Sequence, residues 1–381
     1  MKASSPPTRV GVVGGGQLAM MMGEAAAGLE LELCVLASSP EDSAGATIGD
    51  VVIGSPGDAS ALERLAQRCE VITFDHELVD LDILAALEAN GHVLRPSSLA
   101  LRFAVDKAYQ REVFLAHHLP VPRFLVVSTP HDPRLPAFLD QVDARVVVKA
   151  ARGGYDGRGV AFAANRADAV SLIEEFSGRG EVVVEEHVAL RGEAAQIVAR
   201  GVEGETAIYP LVTTVQQEGM CAEVRYPSEF GDVEGAAADL SARIAGLVQG
   251  VGVMAVEYFV TEEGLVINEV ALRPHNSGHW TIEGVTTSQF AQHLLAVAGR
   301  PLTRVEPLTT NAVMVNVVGA PEPGSLEKAR AIPDVFVHDY HKSWRPGRKL
   351  GHVTALGAEP DAVRVRAWQS ARAYGTKTQE A

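Results

Sequence analysis

Two carboxylates set inside otherwise apolar β sequence constrain this chain more than any other feature. Val253-Met-Ala-Val-Glu-Tyr-Phe-Val260 reads as a strand interrupted only by Glu257. Thr261-Glu-Glu-Gly264 turns the chain, and Leu265 to Ile267 opens a second strand that runs into Asn268 and Glu269. A three-residue loop, Glu262 to Gly264, with glycine at the left-handed position predicts a hairpin pairing Thr261 with Leu265 and Glu257 with Glu269. Directly paired residues share a sheet face, so the two carboxylates are expected side by side, where they repel unless a cation lies between them. A slip of one residue would turn Glu269 to the other face. Glu257, Glu269 and Asn268 offer oxygen ligands to a hard cation such as magnesium. The alternative is an amphipathic hairpin with both carboxylates in water.

The following loop carries a different chemistry. Arg273, His275, Asn276, Ser277 and His279 fall within seven positions before Trp280. The Arg273 guanidinium is a planar fork suited to a small oxyanion. The hairpin thus asks for a metal, and the loop for an anion beside it.

A phosphate-binding pattern stands upstream. Arg145-Val-Val-Val-Lys149 reads as a buried strand ending in lysine, and Gly153-Gly-Tyr-Asp-Gly-Arg-Gly159 follows, leading to Val160. Four glycines in seven positions let backbone N–H groups approach anionic oxygens, and Lys149 adds a point charge. No Gly-Lys-Ser/Thr follows, so this is not a P-loop. Tyr155 and Arg158 are large groups on that loop, able to reach a second ligand. Glu181 to Val188 is another buried strand; its polar end, Glu185, Glu186, His187 and Val188, suits a hinge whose backbone reads an adenine edge. Glu193, opening the next strand, suits ribose hydroxyls.

The rest of the chain reads as α/β. Arg9 to Ala19 is a strand, a Gly-rich turn and a helix start, with the helix continuing to about Leu29. Gly14-Gly15-Gly16-Gln17-Leu18-Ala19 fits a dinucleotide fingerprint, but Ala37-Ser38-Ser39 stands where an NAD site wants an acidic residue. The turn is therefore read as a Rossmann-like element able to hold some other phosphate. Strands at 31–37, 51–53, 71–74 and 92–94 alternate with helices at 59–68 and 81–89, which predicts a small parallel sheet. Glu77 lies just past a strand end, where ligands of such sheets bind. One helix is expected over 99–118, carrying Asp106 and Lys107. Helices are expected at 239–251, 288–298 and 359–374, and strands at 312–318 and 335–340. Lys342, Arg345, Arg348 and Lys349 surround one turn. In a chain with 48 acidic and 33 basic side chains, net charge −15, that local cluster points to an anionic ligand, while the overall charge argues against nucleic acid. The three cysteines, Cys34, Cys69 and Cys221, show neither zinc spacing nor a disulfide framework and are expected as buried thiols in a reducing cytoplasm. No signal peptide or membrane span is expected.

Taken together, Gly14 to Leu18, Lys149 with Gly153 to Gly159, Gly252 to Glu257, Leu265 to Trp280 and Arg345 to His352 resemble the ATP-grasp superfamily. More narrowly they resemble the 5-(carboxyamino)imidazole ribonucleotide synthases of purine biosynthesis, nearly end to end. The resemblance implies an ATP-grasp fold, α/β and α+β: a Rossmann-like domain (1–103), an ATP-grasp domain (104–310) with a mobile lid at about 123–190, and a small β-rich C-terminal domain (311–381). It implies ATP as co-substrate, magnesium (or manganese), bicarbonate and 5-aminoimidazole ribonucleotide, in a cytoplasmic homodimer that uses carboxyphosphate. Carried over, Lys107, Lys149 and the loop Gly154, Tyr155, Asp156, Gly157, Arg158, Gly159 and Val160 meet the nucleotide phosphates. Glu185 and Val188 meet adenine, Glu193 the ribose, and Glu186, His187 and Gln216 the nucleotide. Glu257 and Glu269 hold the metal beside Asn268. Arg273, His275 and Asn276 hold bicarbonate. Tyr155, Arg158, Lys342, Arg348 and Lys349, with Gln17 and Glu77, hold the ribonucleotide, and Lys342 also counts among the catalytic residues. The chain departs from the family at Lys107 and Met20, where arginine is usual, and at Gln216, where histidine is common.

Three rival readings stay open at this level. A sister ATP-grasp ligase would keep Lys149, Glu257 and Glu269 but not need the loop 345–349. An NAD-dependent oxidoreductase lacks its acidic residue near Ala37. A non-catalytic nucleotide-binding module has less need of paired carboxylates. Lys149→Ala is expected to abolish ATP turnover measured as ADP release; normal turnover in that variant would move the ATP site elsewhere.

Overall fold

In the computed structural model, residues 8–45, 47–153 and 159–377 are described. Gly154, Tyr155, Asp156, Gly157 and Arg158 of the predicted site lie outside them. The N-terminal segment forms the expected parallel sheet. Its strands β1 (Thr8–Val13), β2 (Leu31–Ala37), β3 (Val51–Ile53) and β4 (Val71–Phe74) lie in the order β3-β2-β1-β4. Helices α1 (Gln17–Ala26), α2 (Ala59–Ala66) and α3 (Leu81–Ala89) alternate with them. The strand expected at 92–94 reduces to a single bridge between Ile72 and Leu94.

The helix expected over 99–118 is two helices, α4 (Ser98–Val105) and α5 (Lys107–Ala116). Asp106 divides them. It ends α4 in an extended conformation and caps α5, its Oδ1 accepting from Tyr109 N at 3.1 Å. A short carboxylate competes for backbone N–H groups and so starts a helix better than it continues one. The break places Lys107 at the first turn of a new helix.

A four-stranded antiparallel sheet follows, β5 (Phe124–Val127), β6 (Val146–Ala150), β7 (Val160–Ala163) and β8 (Val182–Glu186), in the order β5-β8-β6-β7. Helices α6 (Leu135–Gln141) and α7 (Arg166–Ser177) cover one face through Leu135, Leu139, Ala169 and Ile173. The glycine segment joins β6 to β7 across the pair Lys149–Val160.

The largest sheet contains β9 (Gly192–Arg200), β10 (Thr206–Ile208), β11 (Val212–Gln217), β12 (Met220–Tyr226), β13 (Gly252–Thr261), β14 (Gly264–Ala271), β15 (Asn311–Val318), β16 (Val335–Asp339) and β17 (Lys349–Gly357). Its order is β14-β13-β9-β11-β12-β15-β17-β16, with β10 beside β9. Helices α8 (Glu234–Val248), α9 (Thr281–Gly284), α10 (Gln289–Val297), α11 (Ser325–Arg330) and α12 (Pro360–Tyr374) accompany it. The sheet crosses residue 310 without a break, because β12 pairs directly with β15. Glu223 of β12, fully buried, accepts from Arg225 Nε at 2.6 Å, Arg364 Nε at 2.8 Å and Trp368 Nε1 at 2.8 Å, which ties α12 to the sheet. One apolar core joins the N-terminal sheet to the hairpin: Leu36, Ile72 and Phe74 share it with Met254, Val256 and Ile267. Of the thiols, Cys34 is buried as expected, whereas Cys69 and Cys221 are only partly so. Among the described residues no helix is long and apolar enough to cross a membrane.

His293 of α10 fastens the N-terminal sheet to β13. Its Nδ1 accepts from Val253 N at 3.0 Å and its Nε2 lies 2.7 Å from Thr73 Oγ1. Burial holds the imidazole neutral, its pKa lowered from 6.5 to about 3. Between those values the unfolded chain binds a proton that the native chain refuses, so this stability is present above about pH 6.5 and is lost as pH falls below it, by up to about 1.4 kcal/mol per unit. His293→Gln is expected to flatten the fall of the urea midpoint between about pH 6.5 and 5. An unchanged slope would mean that His293 takes up its proton in the native state.

Candidate active site

The hairpin forms, with Glu257 paired to Glu269 as expected, but by another route. The turn is tighter than predicted: Thr261 pairs with Gly264 and Val260 with Leu265. Continued regularly, that one-residue slip would set Glu257 opposite Asn268. A bulge between Glu257 and Tyr258 absorbs it, with Tyr258 opposite Ile267 and Glu257 opposite Glu269, leaving Asn268 as the extra residue. A bulge puts two consecutive residues against one and breaks the strict alternation of faces. Accordingly Leu265, Ile267 and Val270 all enter the same core, while Asn268 and Glu269 both reach the site.

Cations from two other elements converge there. Lys107 Nζ at the start of α5 donates to Glu269 Oε2 at 3.1 Å, and Lys149 Nζ of β6 donates to Asn268 Oδ1 at 3.2 Å. Lys107 above all holds the Glu269 carboxyl down at about 2, against burial, and Glu269 in turn raises the Lys107 ammonium. His275 Nε2 lies 3.1 Å from Glu257 Oε1, and Asn268 Nδ2 is 3.5 Å from Glu257 Oε2. The two carboxylates thus have separate partners within the chain. Glu193 of β9 lies nearby, its carboxyl raised to about 7 by burial and by the Glu257 charge, with a hydrogen bond from Gln216 opposing.

Glu185 is turned into the protein. Its Oε1 accepts from Arg111 Nε at 2.6 Å, and its Oε2 lies 2.7 Å from Lys149 Nζ; side-chain exposure is 2% for Arg111 and Glu185 and 8% for Lys149. Burial alone would raise the Glu185 carboxyl, but the two cations overcome it and hold it at about 2. Burial lowers the Lys149 ammonium, with Glu185 opposing. Arg111 Nη2 donates to the Asn268 carbonyl oxygen, so the same cluster pins the bulge. Glu186, next in sequence, instead faces outward and binds Arg123 at 2.7 Å. His187 packs edge-on to Phe162 and Val188 is half-buried just beyond β8. The glycine segment is rooted nearby: Lys107 N donates to the Ala151 carbonyl at 2.8 Å, and Arg152 Nη2 binds Asp106 at 2.7 Å. Gly153 and Gly159, at its two ends, take positive φ of 77° and 76°, which side chains disfavour.

The loop after β14 divides its residues between site and core. Gln289 clamps its backbone, accepting from His275 N at 2.8 Å and donating to His275 O at 2.7 Å. Asn276 and Asn316 exchange amide hydrogen bonds at 2.8 and 2.7 Å. Ser277, His279 and Trp280 are buried, and Trp280 stacks on Tyr226. These three serve packing rather than an open binding surface.

The opposite wall combines both ends of the chain. Glu77 Oε2 accepts from Arg273 Nε at 2.6 Å and its Oε1 from Leu272 N at 3.1 Å, so Glu77 orients Arg273. Lys342 Nζ donates to Gln17 Oε1 at the start of α1. Asp75, buried, accepts from Gly16 N and faces Arg273 and Lys342. Arg348 Nη1 donates to Ser343 O at 3.1 Å, and Lys349 opens β17.

Comparison with known proteins gives the family of the chain. Residues 8–105 match the ribonucleotide synthetase preATP-grasp domain, 112–290 the ATP-grasp domain, and 312–366 the phosphoribosylaminoimidazole carboxylase C-terminal domain. The N5-carboxyaminoimidazole ribonucleotide synthase of Mycobacterium tuberculosis (strain ATCC 25618 / H37Rv) is 44% identical over 361 residues, 92% of this chain and 84% of that protein. This chain belongs to the N5-carboxyaminoimidazole ribonucleotide synthase family. Among solved structures, the synthetase from Thermus thermophilus superposes with TM-score 0.87 at 33% identity, covering 97% of this chain and 100% of that one. The Aspergillus clavatus synthase in complex with ADP and 5-aminoimidazole ribonucleotide gives TM-score 0.86 at 28% identity, covering 97% and 99%. A member of this family is an ATP-grasp ligase, and here the small and large sheets meet through Lys149, Glu185, Arg111 and Asn268.

Three polar residues of this candidate site escaped the sequence reading. Arg111 stands one turn beyond Lys107 on α5, a spacing that puts both on one helix face. Asp75 sits two residues before Glu77, and Asn316 lies inside an apolar strand. The neighbouring carboxylates of β8 give a direct check. Glu185→Ala leaves Lys149 and Arg111 buried without their counter-charge and is expected to cost roughly 3–5 kcal/mol of stability in urea unfolding. Glu186→Ala, in an exposed pair, is expected to cost less than about 1 kcal/mol. Similar losses at both positions would refute the buried cluster.

Proposed function

We propose that this chain carries out the ATP-dependent carboxylation of 5-aminoimidazole ribonucleotide in two steps within the cleft, by way of carboxyphosphate. The observation that carries this reading is the convergence of Lys107 and Lys149 on the face holding Glu257, Asn268 and Glu269. Two lysines from the other side of the cleft suit the phosphates of ATP, and the glycine segment rooted at Lys107 and Asp106 would fold over them. The backbone from Glu185 to Val188 would meet adenine, with Glu186 and His187 in between, while Glu193 and Gln216 would lie by the ribose. The side chain of Glu185 serves Lys149 instead.

The donor set fits magnesium or manganese. Among the described residues no three or more His, Cys, Asp or Glu form a ready-made metal cage. Magnesium commonly takes one or two carboxylates and completes its shell with phosphate oxygens and water. Glu257 and Glu269, flanked by Asn268, would hold it. Held by these residues, a divalent cation would supply positive charge against that of the transferring phosphoryl group.

Bicarbonate is a poor electrophile and needs activation. Arg273, held by Glu77, and His275 with Asn276 would set its oxygen in line with the γ-phosphorus, where attack expels ADP and forms carboxyphosphate. Breakdown of that species releases phosphate and carbon dioxide, which the 5-amino group of the ribonucleotide captures as its N–H proton is lost. Exclusion of water keeps the intermediate from hydrolysis. Gln17, Glu77, Lys342, Arg348 and Lys349, with Tyr155 and Arg158, would place the ribonucleotide. A homodimer in the cytoplasm, with domains at 1–103, 104–310 and 311–381 and a lid at about 123–190, belongs to the same reading by family resemblance.

ADP release from magnesium-ATP and bicarbonate, with and without 5-aminoimidazole ribonucleotide, tests it. Strong stimulation with an acid-labile carboxylated product is expected. Lys342→Ala is expected to raise the KM for the ribonucleotide at least about tenfold, the loss of roughly one charge-assisted hydrogen bond. Turnover indifferent to the ribonucleotide would favour a sister ligase with another acceptor.

A further inference from the structure

The N-terminal sheet brings two thiols together beneath α2. Gly11 of β1 pairs with Cys34 of β2, so both present the same face to that helix. A Cβ built on Gly11 would lie 2.6 Å from Ile72 Cδ1, 3.1 Å from Cys69 Sγ and 3.2 Å from Leu65 Cγ. The missing side chain is thus the space that lets Cys69, on the segment between α2 and β4, approach Cys34. Each thiol is the strongest influence on the other: Cys69 raises the Cys34 thiol and Cys34 lowers the Cys69 thiol. Cys34 is fully buried, whereas Cys69 is partly exposed.

We propose that Cys34 and Cys69 form an oxidisable dithiol, a site at which a hydroperoxide converts two neighbouring thiols into an intramolecular disulfide. Cys69 is the attacking sulfur. The neighbouring Cys34 thiol favours its thiolate, Arg9 and Arg68 add to this, and burial and Asp50 oppose it. Its thiolate attacks one peroxide oxygen, the O–O bond breaks, and the departing hydroxide takes a proton to become water. Cys69 is then a sulfenic acid. The Cys34 sulfur attacks the Cys69 sulfur, the S–O bond breaks, and the hydroxide leaves as water with the Cys34 proton. In sum, two thiols and one hydrogen peroxide give one disulfide and two waters. Cys221 is the internal contrast: burial pushes its thiol up to about 12, and it donates to the Glu223 carbonyl at 3.6 Å.

The test treats the full chain with hydrogen peroxide, quenches by alkylation and maps peptides by mass spectrometry without reduction. A linked Cys34–Cys69 peptide is expected, with Cys69 consumed at least about tenfold faster than Cys221. Cys34→Ala should stop Cys69 at a sulfenic acid that dimedone traps, and Cys69→Ala should leave Cys34 as a thiol. Should either variant fail to fold, the parent's linked peptide and relative rates decide alone. The proposal falls if the folded parent yields no linked peptide, if Cys69 couples chain to chain, or if Cys221 reacts as fast as Cys69.

Discussion

The cluster of Arg111, Glu185 and Lys149 is the interaction on which the cleft depends. Charges removed from water are costly unless they are paired and fully hydrogen-bonded. Here one carboxylate serves two cations, while the Asn268 side-chain and backbone oxygens and Gln110 Oε1 accept further donors. The cluster takes Glu185 and Lys149 from the small sheet, Arg111 from α5 and Asn268 from the large sheet. It therefore sets the separation of the two sheets and presents the Lys149 ammonium at a defined point between them. A lysine on a free strand end would have no such fixed position.

The bulge at Asn268 is the second constraint, and it acts with the first. A regular hairpin gives each strand one residue in two on the site face. The extra residue allows Asn268 and Glu269 to share that face, and Arg111 holds the carbonyl that the bulge frees from the ladder. Removing either feature would leave a hairpin of the same composition with a different donor set. The core records the change of phase, since Leu265, Ile267 and Val270 all point into it.

Around this centre, separate parts of the chain are fastened by a few polar contacts. Glu77 reaches across to Arg273, Gln17 meets Lys342, Asn276 meets Asn316, and Glu223 anchors α12. Each contact joins segments at least about forty residues apart in sequence. The N-terminal sheet and the C-terminal strands thus act as walls of one site.

Much of this was legible in the residues. Apolar periodicity located the N-terminal strands and helices, the strands ending at Lys149 and Glu186 and the carboxylate hairpin, but not β5, β10, β11, β12 and β17 or α6, α7, α9 and α11; the carboxylates, the lysine before the glycines and the basic turn stood out because local pattern and chemical type are properties of the chain itself. The division of helix 99–118 at Asp106 was missed, since a cap and an interior aspartate look alike until the direction of the next helix is known. The tight turn was misjudged for a similar reason: two- and three-residue loops differ by one register step, and only pairing with β9 and the hold of Arg111 select the bulged form. Which charge faces inward was also undecided, as Glu185 and Glu186 are identical in kind and part company only through the pleat of β8 against Arg111. The elements and the inventory of reactive groups were therefore set by the order of residues. Which of those groups meet was left to the fold, because pairing, burial and counter-charge come from segments tens to hundreds of residues apart.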